Sequence, residues 1–88
     1  MNAYIIDGMN MTDRAAAHAE LARALNLLPH YGANLDALWD EVSCMRADVT
    51  LVHPAAMLNA LGIYGCKLLQ TLYEAAAENP DFHFHTQD

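Results

Sequence analysis

The chain has 88 residues, 55% of them apolar, with eleven Asp or Glu against four Lys or Arg and a formal net charge of −7. That length makes one domain, residues 1–88, and the apolar content is enough for a core built from hydrophobic side chains alone. The acidic balance repels phosphate backbones, which excludes nucleic acid as the expected partner and favours a basic protein, with association weakened by salt.

The N-terminal stretch Met1-Asn2-Ala3-Tyr4-Ile5-Ile6-Asp7 has no basic run and no long apolar segment. Neither a signal peptide nor a membrane span is expected, and the default location is cytoplasmic. Tyr4-Ile5-Ile6, ended by Asp7-Gly8, reads as a first strand. Thr12 is the expected cap of the next helix, with Asp13 in its first turn. Ala17, Leu21, Ala24, Leu25 and Leu28 then recur at helical spacing and predict about four turns, broken by Pro29 and Gly32. Asn34 is a good N-cap for a second helix whose apolar face is Leu35, Leu38, Trp39 and Val42.

Val49-Thr50-Leu51-Val52 reads as a second strand stopped by His53-Pro54. A short helix follows from Ala55 to Ala60, closed by Gly62. A longer one runs from Tyr64 to Glu78, with Leu68, Leu69, Leu72, Tyr73 and Ala76 inward and Asn79-Pro80 ending it. Phe82-His83-Phe84-His85 alternates strictly and reads as a last strand with both phenyl rings on one face. The order β-α-α-β-α-α-β makes parallel pairing through helical crossovers the expected outcome. The fold class is therefore α/β, a three-stranded parallel sheet packed by about four helices.

Asp36 and Asp40 lie four residues apart, hence on one side of the second helix, opposite its apolar face. A like-charge pair at that spacing costs about 0.2–0.5 kcal/mol. No Lys or Arg lies between Arg23 and Arg46 to relieve it. Asp36 sits in the first turn, where the helix dipole welcomes a negative charge, but Asp40 is too far along for that benefit. The pair becomes useful when something strongly positive docks against it.

The segment Tyr31-Gly32-Ala33-Asn34-Leu35-Asp36-Ala37-Leu38-Trp39-Asp40, of the form YGxNLDALWD, resembles the barstar family of intracellular ribonuclease inhibitors. Similarity extends to the opening strand with Asp7-Gly8, the first helix, and Leu69-Gln70 through Glu74-Ala75 and Glu78. It is weak between Ser43 and Lys67. The resemblance implies the same small parallel sheet with helices, and a second helix and preceding loop that enter a ribonuclease active site. Asp40 would then place a carboxylate where substrate phosphate binds, and Asp36 would reach a neighbouring arginine or backbone donor. Gly32 would permit close backbone approach, Asn34 and Trp39 would shape the contact edge, and Glu74, with Glu78 one turn on, would add acidic contacts. His30 stands where the family has an aromatic phenol, and Cys44-Met45 occupies the region of a second interface tryptophan. The acidic core is thus kept while the aromatic contacts differ.

Several side chains have plainer readings beside these. Glu74 and Glu78 also fit a solvated helix face. Tyr31, a further candidate contact, fits a packing role slightly better, and Trp39 a place part core and part rim. His83 and His85 share a strand face at chelating spacing, but no third and fourth ligand can be placed, so solvent-facing histidines are expected and no metal or cofactor. Cys44 and Cys66 have no framework or CxxC spacing and are expected as free or buried thiols, with Cys44 on or near an apolar helix face and no base marking it as a nucleophile. No Ser/His/Asp, Cys/His or metal constellation is legible, so an enzyme is disfavoured. The sequence points to an inhibitor of a small basic ribonuclease. The alternative is a binding module for another basic protein or toxin domain. With one acidic face and no obvious apolar patch, the free chain is expected as a monomer.

Overall fold

Three short runs rich in β-branched and aromatic side chains form the sheet, and four amphipathic segments form the helices. The computed structural model describes residues 2–88. It runs β1 (Asn2–Asp7), a 3-10 turn (Gly8–Asn10), α1 (Arg14–Leu25), α2 (Leu35–Val42), β2 (Ala47–Val52), α3 (Pro54–Leu61), α4 (Ile63–Glu78) and β3 (Phe82–Gln87). The strands lie in the order β1-β2-β3, and both pairings are parallel. The expected order and sheet are both present.

Register decides which side of the sheet is covered. Ile6 is level with Leu51, and Val49 with Phe84, so Ile6, Ala47, Val49, Leu51, Phe82 and Phe84 share one face, and all are buried. Leu21 and Leu25 of α1, Leu38 and Val42 of α2, Met57 of α3, and Leu68 and Leu72 of α4 close over that face. The alternate positions Ala3, Ile5, His83 and His85 are exposed. Parallel sheets are ordinarily buried on both sides; here the alternation in β1 and β3 matches a sheet with one open face. Among the described residues, no helix is long and apolar enough to cross a membrane.

The structure corrects several boundaries. Asp13, not Thr12, caps α1: its backbone is extended and its carboxylate accepts the Ala16 N–H at 2.7 Å, uniting cap and dipole charge in one residue. The helix stops at Leu25, earlier than Pro29, because Asn26 adopts the left-handed conformation (φ 57°) and the Leu27 N–H turns back to the Ala22 carbonyl. Leu28 therefore lies outside the helix and is exposed. The strands extend beyond the β-branched runs to Ala47 and to Gln87 because ladder pairing continues there. Pro54 opens α3 instead of merely stopping β2, as its missing N–H is harmless at a first helical position. Tyr73 is not inward: it is exposed and sets its ring edge-on to Phe84, centroids 4.9 Å apart.

One glycine is demanded by close approach. A Cβ on Gly8 would lie 2.2 Å from the His53 carbonyl oxygen, where the end of β1 passes the β2–α3 junction. Buried Glu20 ties this region to α1. It accepts the Asp7 N–H at 2.9 Å, an Asn10 amide N–H at 3.3 Å, and two Arg23 N–H groups at 3.0 and 2.7 Å. Burial alone would raise the Glu20 carboxyl, but these donors hold it below its ordinary value.

Candidate partner-binding face

α2 exists because its two sides have different work. Asn34, in extended backbone, accepts the Ala37 N–H at 2.7 Å and so starts the helix as expected. Leu38 and Val42 point into the core, while Leu35 and Trp39 are half-buried against it. Asp36 and Asp40 are exposed on the remaining surface. Neither meets a cation within ion-pair distance among the described residues. α2 packs against α4. Its C-terminal end is tied there by Asn79, whose side-chain amide donates to the Val42 and Met45 carbonyls at 3.2 and 2.9 Å.

The loop before α2 is held from inside. The Tyr31 hydroxyl lies 2.7 Å from Nδ1 of His18, and Nε2 of the same imidazole lies 2.7 Å from the Tyr64 hydroxyl. His18 is only 2% exposed. Burial pushes its pKa down, so the ring is neutral and donates to one phenol oxygen while accepting from the other. Burial likewise pushes the Tyr31 phenol well up, with Tyr64 and Glu41 adding to the shift. Tyr31 is thus half-buried and anchored, as its packing role requires. His30 beside it is exposed, as are Gly32 and Ala33. Ala33, and not Gly32, carries the left-handed backbone (φ 54°). What glycine supplies at Gly32 is room, since a Cβ there would meet that of Ala37 at 3.1 Å.

Glu74 and Glu78 are exposed on α4, and the Gln70 amide donates to the Glu74 carboxylate at 2.9 Å. Cys44 is exposed, contrary to its expected place by an apolar face: it lies past the end of α2, its thiol donating to the Asp40 and Glu41 carbonyls at 3.3 and 3.6 Å. Cys66 is also exposed and free. His83 and His85 face solvent, His85 within 3.1 Å of the Asp48 carboxylate. Among the described residues, no three His, Cys, Asp or Glu side chains gather as metal ligands.

Sequence reasoning missed His18, Arg14 and Tyr64. The Arg14 guanidinium lies 4.2 Å above the centre of the Tyr64 ring, and the two line an open cavity of about 530 Å³ with Ala33, Asn34 and Asp36. No local pattern marks these positions, because they meet only when α1, the loop and α4 are brought together.

Comparison with known proteins bears on what this acidic helix meets. The family model described as "Barstar (barnase inhibitor)" matches residues 1–87. Among individual proteins, the chain is 33% identical over 87 residues to the "Putative ribonuclease inhibitor YrdF" of Bacillus subtilis (strain 168), covering 92% of this chain and 92% of that protein.

Proposed function

The chain belongs to the barstar family, and from that premise we propose that it inhibits a small basic ribonuclease by seating α2 and its preceding loop in the enzyme's active site. The observation that carries the reading is the exposed, uncompensated pair Asp36 and Asp40 on a capped helix whose other side is locked in the core. A ribonuclease active site must gather cations to hold a phosphodiester. Carboxylates entering it form charge-assisted hydrogen bonds with the same Arg, Lys and His groups. Asp40 takes the place of substrate phosphate, Asp36 meets a neighbouring arginine or backbone donor, and repulsion between the two is relieved only in the complex. Asn34, Gly32, Trp39 and exposed His30 shape the edge of the contact, and Tyr31 holds the loop from beneath. Glu74 and Glu78 extend the acidic surface along α4.

On this reading the protein acts as a cytoplasmic immunity protein, a monomer when free, that guards the cell making it. It works by occlusion, not by catalysis. The test is residual RNA cleavage by barnase and other small basic ribonucleases, titrated with the wild type and with Asp40→Ala. The wild type is expected to suppress cleavage, and Asp40→Ala to need at least about thirtyfold more protein, matching the roughly 2 kcal/mol that defines an interface hot spot. Inhibition surviving intact in Asp40→Ala would sink the mechanism. Failure of the wild type against every such enzyme would transfer the acidic face to a different basic protein.

A further inference from the structure

We propose that the cavity between the start of α1 and the start of α2 is a cationic corner of the docking face, in which Arg14 receives a carboxylate side chain of the inhibited ribonuclease. The inference rests on the docking of α2 proposed above and adds a requirement of opposite sign to it.

Arg14 is placed awkwardly for a purely structural cation. It is the first residue of α1, where the helix dipole disfavours positive charge. It has no carboxylate within ion-pair distance among the described residues, in a chain where acids outnumber bases eleven to four. Arg23, by contrast, is clamped by Glu20. What holds Arg14 is the face of Tyr64, 4.2 Å from its guanidinium carbon. That ring is itself fixed through its hydroxyl by buried His18. A guanidinium lying over the face of a held ring still has N–H donors to offer a ligand. Arg14 lines an open cavity together with Asn34 and Asp36, the cap and first turn of α2.

A planar fork with unused donors is suited to a carboxylate, which it can engage by two parallel hydrogen bonds. With Asp36 and Arg14 lining one cavity, the site selects a ribonuclease that presents a basic and an acidic residue side by side at the rim of its active site. The pair then sets register: a partner with two basic groups there meets Arg14 as a repulsion.

The measurement is inhibition of barnase by the wild type, Arg14→Ala, Arg14→Met, Arg14→Glu and Asp40→Ala, with thermal melts of each. General electrostatics and this proposal predict opposite signs. Removing a positive charge from an acidic protein should strengthen its attraction to a basic enzyme. The cationic corner predicts instead that Arg14→Ala and Arg14→Met weaken inhibition about tenfold, and Arg14→Glu further, the size expected for one charge-assisted contact. Arg14→Met keeps an apolar stem over Tyr64, so its melt should match the wild type; if Met preserved full inhibition, packing and not charge would be the cause, and the proposal would fall. In a double-mutant cycle, alanine at one carboxylate bordering the barnase active site should abolish the effect of Arg14→Ala. If inhibition is unchanged or improved in the Arg14 variants yet lost in Asp40→Ala, the corner is refuted and the docking of α2 stands. A wild type that leaves barnase and every other small basic ribonuclease uninhibited overturns both.

Discussion

Acidification should destabilise the protein through His18 before any carboxylate titrates. The imidazole is 2% exposed, sits between two phenols at 2.7 Å, and has its pKa lowered by burial from the ordinary 6.5. Protonation would turn both ring nitrogens into donors, so the phenol that donates its O–H must turn away and leave that hydrogen without its acceptor. The sign follows from proton linkage. Below pH 6.5 the unfolded chain binds a proton that the folded chain refuses, so stability is fully present above the unfolded value and lost as the pH falls towards the folded one. The ceiling is one proton, about 1.4 kcal/mol per pH unit, so between pH 7.5 and 5.5 the loss is at most about 1.4 kcal/mol. With a urea dependence of about 1 kcal/mol per molar, the unfolding midpoint should fall between pH 7.5 and 5.5, by no more than roughly 1.4 M. The assay is urea unfolding followed by tryptophan fluorescence at several pH values, for the wild type and His18→Gln. The glutamine can still bridge polar groups but cannot titrate. All other titratable groups are common to both proteins. The informative quantity is therefore the difference in slope. Identical slopes for the two proteins would refute the assignment.

Other substitutions test separate links. Asp40→Asn should raise the stability of the free chain by about 0.2–0.5 kcal/mol at low salt while weakening ribonuclease inhibition, and denaturation beside a cleavage assay reads both. Asn34→Ala removes the cap bond to Ala37 and should cost about 1 kcal/mol in chemical denaturation. Gly8→Ala forces a Cβ to 2.2 Å from the His53 carbonyl, so the β1 end or the β2–α3 junction must move; a loss above about 3 kcal/mol is expected in the same measurement, and a near-neutral result would show that the junction yields freely. Below about pH 4.5, Asp7 and Glu20 should add a further loss. Their pKa values are lowered, Asp7 mainly by the Met9 N–H and then by His53, so their contribution is present above the unfolded value and disappears as they protonate.

Much of the fold could be read along the chain because its signals are local. Strands announced themselves by β-branched and aromatic runs, the α2 start by Asn34, and the strand–helix alternation imposed a parallel sheet. The Asp36 and Asp40 pair was legible for the same reason: helical spacing alone puts both opposite Leu38 and Val42. What escaped notice depends on distance in sequence. His18 and Tyr64 are 46 residues apart, and nothing near either says that imidazole and phenol will meet. Glu20 reads as an ordinary exposed helix acid until the Asp7 N–H and Asn10 reach it. The early end of α1 at Asn26 was masked by Pro29, a louder signal three residues on.

Within α2, the residues that secure the fold and those proposed to meet a partner are almost disjoint. Leu38 and Val42 face inward, Asp36 and Asp40 outward, and Leu35 and Trp39 lie half-buried between the two sides. A lineage carrying this helix can redraw its target through point changes on the outer side while its capacity to fold is inherited unaltered. At half-buried Trp39, where the proposed contact edge meets the core, a change of target would also be a change in stability, so adaptation to a new enzyme should be slow there.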